Sequence, residues 1–255
     1  MTPEEKFMFD LQGYLLVKSV LSKEEVAELN EISDRSGPDE FETYQENGLR
    51  IARRVSQWGP ACQNLMDHPK VAPYLIELLG PEVRIDHDYC IFMKNAAKKG
   101  GLHGGSANSS THWYKYRDGV MRNGLTVFVY ALSPARKGDG GFCCIPGSHK
   151  SNFLKDIPQE VRQFERPAHY VVQPEVDAGD LLIFTEATVH GTQPWTSDQE
   201  RRSFLFKYSP GHSAWWNDFY NPDEYSGLSE QQKRIMEPAF VGGGRPDTFA
   251  NGVSG

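Results

Sequence analysis

The sequence predicts a mainly β protein with flanking helices, built as a β-sandwich or barrel. Beyond residue 82, apolar residues recur with a period of two, as strands require. Glycine-rich turns separate these segments, among them KGDGG, IPGSHK and DAGD. Helical patterns precede the strands, at about residues 20–80. Short strands joined by such turns, after N-terminal helices, are typical of this fold class.

Two helices are predicted ahead of the strands. The segment LSKEEVAELNEIS opens with a capping box of Ser22 and Glu25 and continues with an apolar stripe. The segment HPKVAPYLIELLGPE has a proline near its start and ends at Gly80. A further short helix is expected near SEQQKRIM, toward the end of the chain.

Five segments are predicted as strands. They are VRIDHDYCIFM, LTVFVYAL, HYVVQPEV, DLLIF and RSFLFKYS. In the first, the alternate residues from Val83 to Met93 are expected on one face.

We interpret 1–255 as one domain, with helices at about 20–80, a β core at about 82–210 and a C-terminal extension, 211–255, packed over the core.

Composition limits the partners and the compartment. The net charge of −7 argues against nucleic acid or an anionic membrane as the main partner. No apolar run reaches the roughly 18 residues of a membrane span, and the N-terminus lacks a signal-peptide pattern. The four cysteines show no CxxC spacing, which favours a reduced, cytoplasmic protein. The sequence makes no prediction of oligomeric state.

Two of the eight histidines stand where strands meet loops. His103 follows a strand and a lysine–glycine loop, and His190 follows the strand in AGDLLIF. Binding residues cluster at such junctions on a rigid scaffold. Taken alone, this pairing is a weak indication of a metal site.

The order of the flanking motifs carries more information. His103 is followed by DGGFCCIPGSHK, by AGDLLIFTEATVHGT and by Arg201, and the chain opens with FDLQGYLLVKSVLSKEEVAELN. Over roughly residues 7–210, this order resembles the phytanoyl-CoA dioxygenase family of iron(II) and 2-oxoglutarate enzymes. The resemblance implies a double-stranded β-helix (a jelly roll, cupin-like). It also implies Fe(II), 2-oxoglutarate and O2 as cofactors and C–H functionalisation of a small molecule through a ferryl intermediate.

The same resemblance assigns individual residues. The family's metal histidines fall on His103 and His190. Its arginine for the distal carboxylate of 2-oxoglutarate falls on Arg201, with Arg202 as the adjacent alternative; a guanidinium can grip a carboxylate through two hydrogen bonds. Thr192 shares a strand face with His190 and could add a hydroxyl donor. Tyr130 is expected to line the 2-oxoglutarate pocket.

The sequence departs from the family at one ligand. The motif is His-x-Asp, and the aspartate position is Gly105, which has no side chain. In one interpretation, chloride binds at the open position and the enzyme is a halogenase, as in the 2-oxoglutarate halogenases that carry glycine or alanine there. In a second, water or a carboxylate such as Asp118, Asp88 or Glu186 fills the position and the enzyme hydroxylates. In a third, the protein binds ligands without catalysis. The open position slightly favours halogenation.

A substrate region is predicted after the metal motif. The segment SANSSTHWYKYRDGVMRNG reads as a loop, and loops of this length are often binding loops. It carries His112, Trp113, Tyr116 and Arg117. Aromatic rings beside one or two cations suit a small amphipathic or anionic substrate.

Overall fold

Antiparallel strands form most of the structure. The computed structural model describes residues 1–36, 41, 43–44, 48–94, 97, 100–105, 110–242 and 245–249, with the backbone alone at 43–44. The strands of this part, in chain order, are β1 (Tyr14–Val17), β2 (Thr43–Tyr44), β3 (Arg50–Arg53), β4 (Arg84–Met93), β5 (Tyr114–Arg117), β6 (Val120–Asn123), β7 (Thr126–Ala131), β8 (Gly141–Cys144), β9 (Leu181–Thr185), β10 (His190–Gln193) and β11 (Arg201–Ser209).

The strands form two facing layers. The larger sheet has seven strands in the order β1-β9-β7-β11-β4-β3-β2, and the smaller pairs β10 with β8. Single bridges widen the smaller sheet, since His103 pairs with His190 and Cys144 pairs with Val172. The crossovers produce the jelly roll that the family resemblance implies. β5 and β6 form a separate hairpin.

Most of the helices cover the outer face of the larger sheet, and the one at Gln159–Arg162 packs beside the smaller sheet. They are α1 (Pro3–Gln12), α2 (Lys23–Arg35), α3 (Pro60–Gln63), α4 (Ala72–Leu79), α5 (Gln159–Arg162) and α6 (Glu230–Met236). The predicted helices correspond to α2, α4 and α6. The capping box of α2 is present, because Glu25 N–H donates to Ser22 Oγ at 3.1 Å and Ser22 N–H donates to Glu25 Oε2 at 2.7 Å. The sequence analysis missed α1, although Thr2 and Glu5 form the same box.

The two faces of β11 belong to different cores. Phe204, Phe206 and Tyr208 pack on the helix side together with residues of α2 and α4. Leu205 faces the smaller sheet and packs in the interior of the jelly roll. Because residues alternate along a strand, Arg201, Ser203 and Lys207 share the interior face with Leu205.

A bulge in β4 changes which residues face the interior. Lys207 pairs with His87, but Tyr208 pairs with Ile85, so Asp86 is the extra residue of the pair. Val83 and Ile85 therefore join the helix-side core, whereas Ile91 and Met93 belong to the interior core. The prediction that alternate residues from Val83 to Met93 share one face is wrong at this bulge.

Two further segments differ from prediction. HYVVQPEV forms no strand and contributes only single bridges at Val172 and Val176. The segment predicted as a loop, 106–124, forms the β5–β6 hairpin, and its residues 106–109 lie outside the described residues. Within the described ranges, no helix is long and apolar enough to cross a membrane.

The Asp86 carboxylate ties the chain after β11 to β4. It accepts hydrogen bonds from the backbone N–H groups of Trp215 at 2.9 Å and Trp216 at 3.2 Å. Arg84 donates to it at 3.0 Å, and His87 Nδ1 lies 2.9 Å away. Both members of the Arg84–Asp86 ion pair are fully buried.

We expect Asp86→Ala to lower the free energy of unfolding by about 3–5 kcal/mol, because Arg84 then keeps a buried charge with no carboxylate. Equilibrium denaturant unfolding measures the change. As a control, Glu230→Ala removes an exposed ion pair with Lys233 and should cost less than about 1 kcal/mol. Equal losses in the two variants would contradict this account.

Candidate functional site

His103 and His190 lie side by side at the edge of the smaller sheet. The backbone N–H of His103 donates to the carbonyl of His190 at 2.7 Å, and the reverse bond is 2.9 Å. Their ring centroids are 4.4 Å apart. The antiparallel bridge thus brings together two rings that are far apart in the sequence.

Both imidazoles are held by their Nδ1 atoms. His103 Nδ1 lies 2.9 Å from the Gly101 carbonyl, and His190 Nδ1 lies 2.8 Å from the Thr188 carbonyl. A carbonyl can only accept, so each Nδ1 carries a proton, and in a neutral ring the lone pair then lies on Nε2. Burial lowers the pKa of His190 to about 4, against the opposing charge of Glu186, and the ring is therefore neutral at pH 7. Neutral Nε2 atoms with a fixed tautomer are the arrangement of metal-ligating histidines.

A buried ion pair adjoins the two histidines. Glu186 Oε2 lies 3.7 Å from His190 Nε2, and Glu186 Oε1 accepts a hydrogen bond from Lys207 at 2.7 Å. Burial opposes the charge on Glu186, but Lys207 outweighs it and holds the pKa of this carboxyl well below its usual range. Burial also opposes the charge of Lys207, and Glu186 and Tyr89 outweigh it and raise the Lys207 pKa. The pair is therefore charged at neutral pH.

Of the three carboxylates considered for the iron, one lies beside the histidines. Asp118 is 86% exposed at the tip of the hairpin. Asp88 is buried and accepts hydrogen bonds from Ser56 and Tyr220. Glu186 is the carboxylate next to His190. The described residues nevertheless contain no group of three His, Cys, Asp or Glu side chains already spaced to hold a metal ion.

Gly105 has a structural role of its own. Its φ is +97°, a conformation that favours glycine. A Cβ at this position would lie 2.5 Å from Leu154 Cδ1 and 3.5 Å from Val189 Cγ2. The backbone therefore directs any side chain at residue 105 into an apolar cluster that contains both of these residues.

Arg201 is a buried cation on the interior face of β11. Its Nη1 lies 3.7 Å from Met93 Sδ, and it makes no ion pair with any carboxylate in the described ranges. Burial lowers the Arg201 pKa to about 10, so the guanidinium stays charged at neutral pH. A buried charge is costly unless it is paired. The arrangement therefore indicates an anionic ligand in the interior.

Arg202 faces the opposite side of β11. Its Nη2 donates to Asp34 at 2.6 Å and its Nε donates to Glu200 at 2.9 Å. Its guanidinium also lies 5.7 Å from the ring of Phe92 on the helix side. Since these partners occupy Arg202, Arg201 is the arginine available to a ligand.

The cavity beside Arg201 lies between the two sheets. Val129, Leu182 and Ser203 of the larger sheet and Phe142 of the smaller sheet line it. Thr192 pairs with Phe142 across the β8–β10 ladder and is half-buried. Most of the wall is apolar, so the guanidinium is the dominant polar feature of this cavity.

Tyr130 lies on the other face of the larger sheet. Its hydroxyl donates to the Leu65 carbonyl at 2.9 Å, and its ring is part of the helix-side core. The β7 residues that face the interior are Val127, Val129 and Ala131. The structure thus contradicts the prediction that Tyr130 lines the 2-oxoglutarate pocket, because the alternation along β7 has the opposite phase.

Tyr89 faces the interior close to Lys207, and the sequence patterns did not single it out. It lies on β4, and its ring centroid is 5.4 Å from Lys207 Nζ. Its phenol also acts electrostatically on Arg201. The period-two pattern of β4 contained this signal, since Tyr89 alternates with residues that belong to the helix-side core.

The four predicted substrate residues do not form one site. Tyr116 is 66% exposed and borders a separate groove with Phe7, while the Arg117 side chain is 89% exposed. Trp113 borders a further surface pocket. His112 is half-buried, and burial lowers its pKa while the nearby charge of Glu186 opposes the shift. His112 is thus the member within electrostatic reach of the paired histidines.

An aromatic wall that sequence reasoning missed lies near the Glu186–Lys207 pair. The His87 ring stacks on Tyr89 with centroids 5.8 Å apart, and it lies 5.3 Å from the Trp215 ring. Lys207 Nζ is 5.9 Å from the Trp215 ring, which is half exposed. Trp215 comes from the segment after β11, which the Asp86 hydrogen bonds position.

Comparison with known proteins identifies the family and related folds. The chain matches the family model of phytanoyl-CoA dioxygenase (PhyH) over residues 9–203. It is similar to HygX from Streptomyces hygroscopicus with nickel and 2-oxoglutarate bound, at 21% identity and TM-score 0.76, covering 85% of this chain and 90% of HygX. It is also similar to the non-heme alpha ketoglutarate dependent epimerase SnoN from nogalamycin biosynthesis, at 21% identity and TM-score 0.63, covering 82% of this chain and 83% of SnoN. The search of curated proteins gives no match.

The class of protein follows from the fold and the family match. This is an oxidoreductase that depends on iron and 2-oxoglutarate. The chain belongs to the phytanoyl-CoA dioxygenase family. The family resemblance and the jelly-roll class predicted from the sequence are confirmed.

We expect His103→Ala or His190→Ala to abolish stoichiometric Fe(II) binding, because each removes one of two adjacent Nε2 donors. Anaerobic iron titration followed by metal analysis measures this. The exposed His169 provides the control, and His169→Ala should bind one equivalent like the wild type. Tight binding of one iron by either first variant would show that the pair is misassigned.

We expect Arg201→Ala to raise the apparent KM for 2-oxoglutarate roughly thirty-fold or more. Loss of a buried charge-assisted pair costs on the order of 2–5 kcal/mol. The matched control is Arg202→Ala, which removes bonds to Asp34 and Glu200 and should leave this KM within a few-fold. Turnover against 2-oxoglutarate concentration distinguishes them, and a larger KM increase in Arg202→Ala would reverse the assignment.

Proposed function

We propose that this protein binds Fe(II) through His103 and His190 and 2-oxoglutarate through Arg201, and oxidises a C–H bond of a small organic molecule. Of the possible outcomes, the geometry favours hydroxylation. The observation that carries the proposal is the pair of adjacent imidazoles whose Nδ1 atoms are both held by carbonyls. Their Nε2 atoms are then free to bind one ion.

The donor set fits iron and 2-oxoglutarate. Imidazole nitrogens and carboxylate oxygens suit Fe(II), and the iron, when bound, supplies the oxidising chemistry with O2 and 2-oxoglutarate. Arg201 anchors the distal carboxylate of 2-oxoglutarate, and Thr192 adds a hydroxyl on the face of β10 that carries His190. Val129, Phe142 and Leu182 keep water from this carboxylate, which strengthens its pairing with the guanidinium.

Halogenation is the second candidate, with chloride as an iron ligand. The observation in its favour is Gly105 at the position where the family motif has aspartate. Two observations weigh against it. The Gly105 backbone directs a side chain toward Leu154 and Val189, and the charged Glu186 carboxylate lies 3.7 Å from His190 Nε2. An anion entering the site would meet this carboxylate.

We assign substrate recognition to the side of His103 and His190 where His112, Lys207 and the aromatic wall lie. Aromatic faces beside a charged pair suit a small polar molecule that also has apolar faces. The structures similar to this chain support such a class, since HygX was solved with hygromycin B and SnoN with nogalamycin RO. Trp113, Tyr116 and Arg117 lie on or beside the exposed hairpin, and we omit them from the reacting centre.

The charge and the cysteines of the chain bear on its partners and its compartment. The net charge of −7 argues against nucleic acid and anionic membranes as partners. All four cysteines are free and buried, which is consistent with a reducing, cytoplasmic location.

Adding halide to the wild-type protein tests whether it hydroxylates or halogenates its substrate. The anaerobic Fe(II)–2-oxoglutarate complex should show a weak visible charge-transfer band, and we expect chloride and bromide to leave it unchanged. Substrates found by screening for 2-oxoglutarate consumption should yield products heavier by one oxygen at any halide concentration. A halide-dependent band together with halogenated product would instead establish the second candidate.

Gly105→Asp is a poor variant for this question. Its positive φ and the contact with Leu154 would strain the chain whatever ligand the iron takes. The wild-type protein, with and without halide, is the informative comparison.

A further inference from the structure

We infer that Glu186 supplies the carboxylate ligand that residue 105 lacks. The inference rests on the proposed function, since it concerns the same iron site. In the family motif His-x-Asp, the aspartate is the carboxylate ligand. Here the carboxylate would come from Glu186, four residues before His190. The iron would then be held by His103, His190 and Glu186.

The Glu186 carboxylate lies close to the His190 ring. Glu186 Oε2 lies 3.7 Å from His190 Nε2. Two ligand atoms at right angles on one metal ion lie roughly 3 Å apart, given bond lengths of about 2.0–2.2 Å. The separation of Glu186 Oε2 and His190 Nε2 is therefore within about 1 Å of that between two neighbouring ligand atoms. No three described side chains are already spaced as a metal site, so the inference includes a small rotation of the Glu186 side chain as the metal binds.

The backbone connects residues 105 and 186. The Gly105 N–H donates to the Glu186 carbonyl at 3.0 Å. The position that carries the family's carboxylate and the position that we assign to it are thus hydrogen-bonded neighbours. A carboxylate can reach the iron from residue 186, whereas a side chain at residue 105 would point at Leu154.

The two carboxylate oxygens of Glu186 have different neighbours. Lys207 donates to Oε1 at 2.7 Å, and Oε2 is the oxygen nearer to His190. Ligating carboxylates commonly keep such an outer hydrogen bond, which orients the oxygen that binds the metal. Lys207 can therefore hold the carboxylate charged and correctly turned without occupying the coordinating atom.

Anaerobic titration with Co(II), used as the probe for Fe(II), tests this role without any turnover. Glu186→Gln keeps the size of the side chain and removes its charge, and its Co(II) affinity should fall by more than about a hundredfold. Loss of an outer-shell partner alone costs roughly tenfold to a hundredfold, and loss of a ligand should cost more. The visible Co(II) absorption should change as well. Glu186→Asp, which keeps a shorter carboxylate, should fall between the two and serves if the glutamine variant fails to fold.

Lys207→Met is the matched control. It removes the outer hydrogen bond but leaves the carboxylate, so its Co(II) affinity should fall by roughly tenfold to a hundredfold, clearly less than in Glu186→Gln. Equal losses in Glu186→Gln and Lys207→Met would mean that the pair is only structural, and would overturn the inference. Unchanged affinity in Glu186→Gln would overturn it too.

Two further outcomes separate this inference from the proposed function. His112→Gln should bind Co(II) like the wild type, and a loss there with none in Glu186→Gln would make His112 the third ligand. In that case only the inference fails. A wild-type protein that binds neither Co(II) nor Fe(II) would overturn the proposed function, and the inference with it.

Discussion

The site depends on one antiparallel bridge, the reciprocal backbone hydrogen bonds between His103 and His190. Backbone pairing fixes the separation of the two Cα atoms, and the bonds from each Nδ1 to a nearby carbonyl fix the ring orientations. The relative placement of the two imidazoles is therefore set by the β ladder and by backbone carbonyls. Such preorganisation is what a metal site requires. Other features of the interior are positioned relative to this bridge.

A second constraint is the bulge at Asp86. Because it shifts the register of β4 by one residue, His87 and Tyr89 face the interior while Ile85 packs under the helices. The same carboxylate holds the chain after β11, which brings Trp215 beside His87. Asp86 is thus both the bulge residue of the larger sheet and the anion that positions the aromatic wall near His103 and His190.

Local patterns in the sequence predict α2, α4 and four of the long strands, because their periodicity is strong. They do not decide which face of a strand is inside when both faces are buried. Every residue of β7 is buried, so Tyr130 and Val129 look equivalent in the sequence, and only the packing shows that Val129 faces the cavity. Likewise, no spacing selects Glu186 over Asp88 or Asp118. Its position beside His190 is a result of tertiary structure.

The glycine in the metal motif need not leave the iron without a carboxylate. A site that lost residue 105 as a ligand and gained nothing would have room and charge for a halide. Here a charged carboxylate already adjoins the histidines, and two like charges 4 Å apart interact unfavourably by about 4 kcal/mol at an effective dielectric constant near 20. Lys207 offsets part of this cost, but its hydrogen bond is already made to Glu186. This charge is the reason for proposing hydroxylation, and it shows that the absence of one ligand in a sequence motif does not by itself predict the reaction.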